Sequence, residues 1–200
     1  MRRLFTAGAI LCALMLAGCS PRDFLTRRLA RDLIAGSPVF NAPEQFWMRT
    51  GVVSNKDFSS PEYIVFQRRG WISGSTVACK ADVAPAPCWD VTLTPAGVDT
   101  FRGLIPSSQS ASNYFAVPTA RRQLVEVTGI AKQRNIADAD FTWKWSAVNE
   151  VGAALYAGNA LFSSTVELKR YDDGWRLVER NNVKEHQSLE EALKNAEPAP

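Results

Sequence analysis

Between Ala139 and Ala147, apolar and polar residues alternate without a break. The apolar positions are Ala139, Phe141, Trp143, Trp145 and Ala147, and the polar positions between them are Asp140, Thr142, Lys144 and Ser146. Because successive side chains of a β-strand point to opposite faces of a sheet, this pattern predicts a strand with one buried and one solvated face. A lone strand cannot bury an apolar face, so the chain must supply neighbouring strands and a covering layer.

The segments on either side of this strand carry strand and turn signals of their own. Residues 123–132 predict a preceding strand. Residues 165–171 and 175–178 predict a hairpin, and Asp172-Asp173-Gly174 is its turn because aspartate and glycine tolerate positive φ. Together these strands predict a four-stranded antiparallel sheet with one aromatic face over residues 118–183.

The first half of the chain shows helix signals. Leucines recur every four residues beside arginines over 22–34, which predicts a basic amphipathic helix. Residues 61–69 and 95–104 each follow a serine or threonine cap and begin with proline, so two further helices are expected there. A short helix is also expected over 43–48, and a proline-bounded stretch rich in serine and asparagine predicts a linker over 105–118.

The predicted fold class is α+β. Residues 37–117 form a helical N-terminal half with one β-hairpin and the linker, and residues 118–183 form a C-terminal half in which the antiparallel sheet packs with helices. Ser188 and Glu191 have the spacing of a capping box, which predicts a tail helix within residues 184–200 before the chain frays.

The N-terminus combines positive charge, an apolar run and small residues before a cysteine. The order is Arg2 and Arg3, the apolar stretch 4–16, and then Ala17, Gly18 and Cys19. A short apolar run after basic residues is typical of a secretory signal, since a transmembrane helix needs about 20 apolar residues. Over residues 1–20 the sequence resembles the signal of bacterial lipoproteins.

This resemblance implies that residues 1–18 are cleaved and that Cys19 becomes the acylated, palmitate-bearing N-terminus. Residues 19–36 would then form a lipid anchor and an amphipathic helix, which either lies on anionic lipid or packs on its own domain. Ser20 is not the aspartate associated with inner-membrane retention in enteric bacteria. The resemblance therefore implies the periplasmic face of an outer membrane, while an ordinary cleaved signal with a chance cysteine is the alternative.

Cys79 and Cys88 are the cysteines that remain once the signal is removed and Cys19 is acylated. In an oxidising compartment they allow one intramolecular pair. The flanking stretches 71–77 and 89–94 predict strands, so a disulfide would close a hairpin loop. A metal site would need more ligands, and a redox pair is more often Cys-x-x-Cys. We therefore predict a structural disulfide.

Two stretches of the chain resemble known folds. Residues 61–104 contain a helix, Gly-Trp-Ile, a hairpin, Leu-Thr-Pro-Ala-Gly and a second helix, and they resemble the closing part of winged-helix domains. Arg68 and Arg69 alone give the would-be recognition helix basic charge, so this resemblance implies a protein-contact module. The hairpin over 165–178 resembles the last hairpin of cystatin-like and nuclear-transport-factor-2-like domains, in which a curved sheet wraps a helix.

Composition and motifs argue against several function classes. The net charge is +3 for the full chain and falls when Arg2 and Arg3 leave, so no nucleic-acid partner is expected. His186 is the single histidine, which excludes two-histidine metal motifs and disfavours a Ser-His-Asp triad. The chain has no nucleophile elbow and no phosphate-binding glycine loop. We therefore expect no catalytic residue, no metal and no cofactor.

The carboxylates Asp138 and Asp140 share one face of the predicted strand. Such a pair suits acid–base chemistry in glycosidases. Lys144 lies on the same face, and Glu167 and Lys169 are expected across from it. Solvated cross-strand charges are therefore the favoured interpretation, and an enzyme that uses carboxylates alone is the third hypothesis.

The favoured hypothesis is a non-catalytic, lipid-anchored envelope protein that contacts another envelope protein. The alternative is a cone-shaped ligand-binding domain with an apolar pocket over Phe141, Trp143 and Trp145, although a plain core requires the same alternation. Exposed aromatic residues, such as Trp47 or Trp71, would favour a protein partner.

Overall fold

The computed structural model describes residues 24–79, 87–105, 113–158, 160–178 and 187–199. Within these ranges the chain divides into two compact units. Unit 1 comprises the described residues up to Asn41, Leu124–Lys144 and those from Leu161 onward, and unit 2 comprises those of Ala42–Gln123 and Trp145–Ala160. Each unit is therefore assembled from separate stretches of sequence.

The described residues form short helices and mostly longer strands. The helices are α1 Arg27–Gly36, α2 Pro38–Asn41, α3 Asn55–Phe58, α4 Pro61–Arg68, α5 Pro95–Phe101, α6 Glu150–Leu155 and α7 Leu189–Lys194. The strands are β1 Glu44–Arg49, β2 Gly51–Ser54, β3 Ile72–Val77, β4 Cys88–Leu93, β5 Tyr114–Gln133, β6 Ile136–Ala147, β7 Leu161–Tyr171, β8 Gly174–Leu177 and β9 Glu197–Pro198. The larger sheet has the order β1-β5-β6-β7-β8, with β9 paired to β7, and the smaller sheet has the order β2-β4-β3.

The predicted fold class is wrong, because the protein is mostly β. The expected α+β fold had a helical N-terminal half and a four-stranded sheet, whereas the larger sheet has five strands in line and a short sixth strand. The segment expected to be a helix over 43–48 is strand β1, and β2 follows it directly. Strand β5 begins at Tyr114, inside the stretch expected to be a linker. These strands pair with partners far along the chain, which local patterns do not reveal.

In unit 1, the alternating row of β6 faces the core. Ala137, Ala139, Phe141 and Trp143 are buried, whereas Asp138 and Asp140 are exposed. Helix α1 begins after Thr26, whose hydroxyl accepts a hydrogen bond from the Leu29 N–H at 3.1 Å, and it buries Ala30 and Ile34. Its arginines stay exposed, so the helix packs by its apolar side within its own unit.

The tail helix of unit 1 confirms the predicted capping box. The Ser188 hydroxyl accepts a hydrogen bond from the Glu191 N–H at 3.3 Å, and the Glu191 carboxylate accepts one from the Ser188 N–H at 3.0 Å. The turn between β7 and β8 also lies where the sequence predicts it, and Gly174 adopts a φ of +127° there. Local signals of this kind depend on neighbouring residues, so they survive the error in fold class.

In unit 2, the core is built mainly from aromatic and branched side chains. It comprises Met48, Val53, Phe58, Tyr63, Phe66, Trp71, Ile72, Val91, Phe101, Phe115, Val117 and Val151. Helices α4 and α5 begin where the sequence predicts, after the caps Ser60 and Thr94. Gly97 brings α5 so close to the chain that an added Cβ would lie 1.9 Å from the carbonyl oxygen of Trp71. A larger residue at this position has no room.

Candidate binding surface

Two large aromatic side chains stack on the solvent side of strands β1 and β5. Trp47 is 49% exposed and Tyr114 is 52% exposed. Their ring centroids lie 5.0 Å apart, and the ring planes are 16° from parallel. Stacking is worth about 0.5–1.5 kcal/mol beyond the area that it buries. Roughly half of each residue still faces water, and tryptophan and tyrosine are enriched in the cores of protein interfaces.

The antiparallel pairing of β1 with β5 brings the Trp47 and Tyr114 rings next to each other. Trp47 lies opposite Ala116 and Arg49 lies opposite Tyr114, so the two rings are diagonal neighbours on one face. Gln45 follows the same two-residue period and is exposed, as is Arg49. We call Gln45, Trp47, Arg49 and Tyr114 the aromatic patch. It offers two flat rings flanked by an amide and a positive charge.

Strand β1 is held in place at both ends by side-chain hydrogen bonds. The Tyr63 hydroxyl accepts a hydrogen bond from the Arg49 N–H at 2.9 Å and donates one to the Arg49 carbonyl at 2.7 Å. The Thr119 hydroxyl donates to the Glu44 carbonyl at 3.1 Å. Burial raises the pKa of Tyr63, although its hydrogen bonding with Arg49 acts in the opposite direction. The patch therefore stands on a fixed strand, which suits a preformed contact surface.

A small cavity of about 190 Å³ lies beside the first half of β1, and Trp47 is not among its lining residues. It is lined by Glu44, Gln45 and Phe46 of β1, by Pro61, Glu62 and Val65 of α4, by Leu155 of α6 and by Tyr156. Its floor is apolar and its charged groups are carboxylates. We call it the Glu44–Glu62 cavity.

Tyr156 connects this cavity to a row of packed side chains formed by Trp145 and Arg122. Its ring lies 5.7 Å from the ring of Trp145, and the guanidinium of Arg122 lies 4.7 Å from the Trp145 ring centroid. Burial raises the pKa of Tyr156, a hydrogen bond with Thr119 acts against this, and the carboxylates of Glu44 and Glu62 raise the pKa further.

Arg122 is half-buried beside the same wall. Burial lowers its pKa, and the nearby charge of Glu44 opposes that shift. Arg122 therefore offsets part of the negative charge of Glu44 next to the cavity.

The predicted ligand face over Phe141, Trp143 and Trp145 is divided between the two units. Phe141 is 1% exposed and packs edge-on against Phe40 in unit 1. Trp143 is 2% exposed, stacks on Phe162 at 4.7 Å, and its indole N–H donates to the Ser164 hydroxyl at 3.0 Å. These two rings pack as core side chains and present almost no surface to a ligand.

Trp145 lies in unit 2, where it contacts Arg122 and Tyr156. It therefore supports a wall of the Glu44–Glu62 cavity instead of forming a face with Phe141 and Trp143. The alternation predicted the strand but not where the two units divide.

The predicted disulfide is present. Cys79 and Cys88 are bonded, with their Cα atoms 5.1 Å apart, and Cys88 begins strand β4. The bond joins the last described residue before the loop of the β3–β4 hairpin to its returning strand. Cys19, the expected lipidation site, and His186 lie outside the described residues.

Other residues singled out in the sequence take structural positions. Trp71 is 4% exposed and belongs to the unit 2 core, so it cannot serve as an exposed contact. Asp138 lies opposite Glu167, and Asp140 lies opposite Thr165, whose hydroxyl donates to the Asp140 carboxylate at 2.7 Å. Asp140 is thus engaged in a cross-strand hydrogen bond.

Two larger clefts lie in unit 1. One of about 650 Å³ runs along the end of α1 and the β7–β8 hairpin, where Asp32, Tyr171 and Arg176 are among its lining residues. The other, of about 330 Å³, is lined mostly by hydroxyl, amide and carboxylate groups, with Phe141 at its edge. Neither matches the apolar pocket that the aromatic row predicted.

No protein-family model, curated protein or solved structure matches this chain. Among the described residues, no helix has the length and apolar character needed to cross a membrane. In the same ranges, no three histidine, cysteine, aspartate or glutamate residues are grouped so that they could hold a metal ion.

Several residues of the binding surface were missed from the sequence. Tyr114 lay in the expected linker, and Glu44 lay in the expected helix, so neither was assigned to a strand. The polar–apolar order of Gln45, Phe46, Met48 and Arg49 carries a weak two-residue period, which Trp47 interrupts. This weak two-residue period was the sequence signal that could have indicated a strand at β1.

Proposed function

We propose that this protein is a lipid-anchored, non-catalytic component of the bacterial cell envelope that binds a partner protein through the aromatic patch. The observation that carries the proposal is the half-exposed stack of Trp47 on Tyr114. Rigid aromatic side chains give a large contact area for little loss of conformational entropy. The hydrogen bonds from Tyr63 and Thr119 hold the supporting strand, which lowers the cost of ordering it on binding.

The anchor is supported by the sequence of residues 1–20, which resembles a lipoprotein signal. A single acyl chain gives only reversible membrane binding, whereas several chains or an added basic segment give a stable anchor. The exposed arginines of α1 follow the expected anchor closely in sequence. Replacing Cys19→Ser should move the protein from the membrane fraction to the soluble fraction. If the variant still sediments with outer membranes, the anchor is refuted.

Binding through the patch can be tested in cells with a photo-crosslinking amino acid. The crosslinker is placed at position 45 or 49, so that Trp47 and Tyr114 stay intact, and at position 98 as a control. Val98 is exposed in the same unit but lies outside the patch. We expect one discrete protein adduct from positions 45 and 49 and none from position 98.

The variants Trp47→Ala and Tyr114→Ala should remove most of that adduct, because hot-spot aromatics carry a large share of binding energy. A matched change, Val98→Ala, should leave it intact. Equal adducts from all three crosslinker positions, or adducts to lipid alone, would refute a protein partner at this surface.

A further inference from the structure

The Glu44–Glu62 cavity has a size and a lining that define what can enter it. At about 190 Å³ it has room for about six water molecules at about 30 Å³ each. Drug-sized ligands occupy pockets of about 300–1,000 Å³. The cavity therefore suits a single amino-acid side chain, and this inference rests on the proposed function of binding a protein partner.

The lining of the cavity separates an apolar floor from an acidic rim. Phe46, Val65 and Leu155 supply the floor, and Glu44 and Glu62 supply the carboxylates. Both carboxylates act electrostatically on the Tyr156 hydroxyl, which places all three oxygen-bearing groups around one wall.

The charge of the Glu44–Glu62 cavity is negative even when the neighbouring Arg122 is counted. Arg122 interacts electrostatically with Glu44, and the charged residues that line the cavity, Glu44 and Glu62, are both acidic. An occupant that carries one positive charge would neutralise the remainder. A neutral or acidic side chain would not.

We propose that the Glu44–Glu62 cavity receives a lysine side chain of the partner protein. The aliphatic stem of lysine would cover the floor, and its ammonium group would lie at the rim. That group has three N–H donors, and the rim offers three acceptors in Glu44, Glu62 and Tyr156.

Two probes isolate the charge from the stem. They are the acetylated methylamide of lysine and that of norleucine, whose side chain has the same four-carbon stem without the ammonium group. Both are titrated into the intact chain, and backbone amide shifts are followed by NMR at Phe46, Val65 and Leu155. The lysine probe should perturb these amides and bind at least about fivefold more tightly than the norleucine probe, and added salt should reduce the difference.

Charge-neutralising variants locate the site. Glu44→Gln and Glu62→Gln should each weaken the lysine probe about two- to fivefold, the range expected of an exposed ion pair. Asp99→Asn removes a negative charge from an exposed position outside the cavity in the same unit and should have no effect. Equal binding of both probes, an absence of shifts at the cavity, or equal effects of all three variants would overturn the inference.

This test is separable from that of the proposed function. Trp47 does not line the cavity, so Trp47→Ala should leave the lysine probe's affinity unchanged while removing the crosslinked adduct. If the probe fails to bind while the adduct persists, the lysine inference falls and the proposed function stands. If the probe binds but no adduct forms, the proposed function falls and the cavity keeps its specificity.

Discussion

The hydroxyl of Tyr63 bonds to the backbone at the end of β1, and Tyr63→Phe removes that hydroxyl alone. The hydroxyl makes two hydrogen bonds to the Arg49 backbone, at 2.9 and 2.7 Å. Each such bond contributes a net 0.5–1.5 kcal/mol in round terms, so their loss should cost about 1–3 kcal/mol. The ring contacts with Phe46, Phe58 and Phe66 persist in the variant, so no cavity term is added.

Urea unfolding, with the slope m unchanged, measures this loss. Hydrogen exchange at the Arg49 amide provides a local readout, because that N–H loses its acceptor and should exchange faster. Tyr171→Phe is the matched control, since Tyr171 is exposed, and its stability should change by less than about 0.5 kcal/mol. If Tyr63→Phe is as stable as Tyr171→Phe, and if its Arg49 amide exchanges no faster than in the wild type, the Tyr63 hydroxyl does not hold β1.

Three further predictions concern stability. Burial raises the pKa of Tyr63 in the folded state above 10.0, so the stability linked to its ionisation is complete below pH 10.0 and is lost as pH rises through the raised pKa. The free energy of unfolding in urea should therefore fall more above pH 10.0 for the wild type than for Tyr63→Phe. Equal losses in the two proteins would refute this. The double variant Cys79→Ser, Cys88→Ser should lose about 2–3 kcal/mol in urea unfolding, as expected for a loop with a sequence separation of 9, and an unchanged midpoint would contradict the constraint. Gly97→Ala should lower the melting temperature through a cost of about 1–3 kcal/mol despite better helix propensity, whereas Gly36→Ala, with open space around it, should not.

Sequence reasoning succeeded where the signal is local. The β3–β4 and β7–β8 hairpins join strands that are close in sequence, and the caps Ser60, Thr94 and Ser188 act within a few residues. Such features are set by nearby residues and hold in any surrounding fold. The strand β6 was equally clear, because its alternation is long and unbroken.

The N-terminal strands could not be found in this way. Strand β1 pairs with β5, so Trp47 meets Ala116 across a long separation in sequence. Pro118 bounds the stretch that was expected to be a linker, and proline cannot donate a ladder hydrogen bond. Pro118 pairs with Gln45, and the register of β1 and β5 shifts between Glu44 and Gln45, which accommodates the proline. A bulge of this kind is invisible before the pairing is known. The strand predicted over 123–132 lies within β5, but without β1 and the first part of β5 the fold class was misjudged.

The fold gains only about 0.5–1.5 kcal/mol from the stacking of the aromatic residues at positions 47 and 114. The strands are already anchored by their inward side chains, because Met48 and Phe115 are buried in the unit 2 core. Outward positions of a half-buried sheet are stable with small polar β-formers such as threonine. Trp47→Thr should therefore cost less stability than Tyr63→Phe but remove more of the crosslinked adduct. If instead the tryptophan change is the more destabilising and the adduct persists, the stack serves the fold and the aromatic patch is not a binding surface.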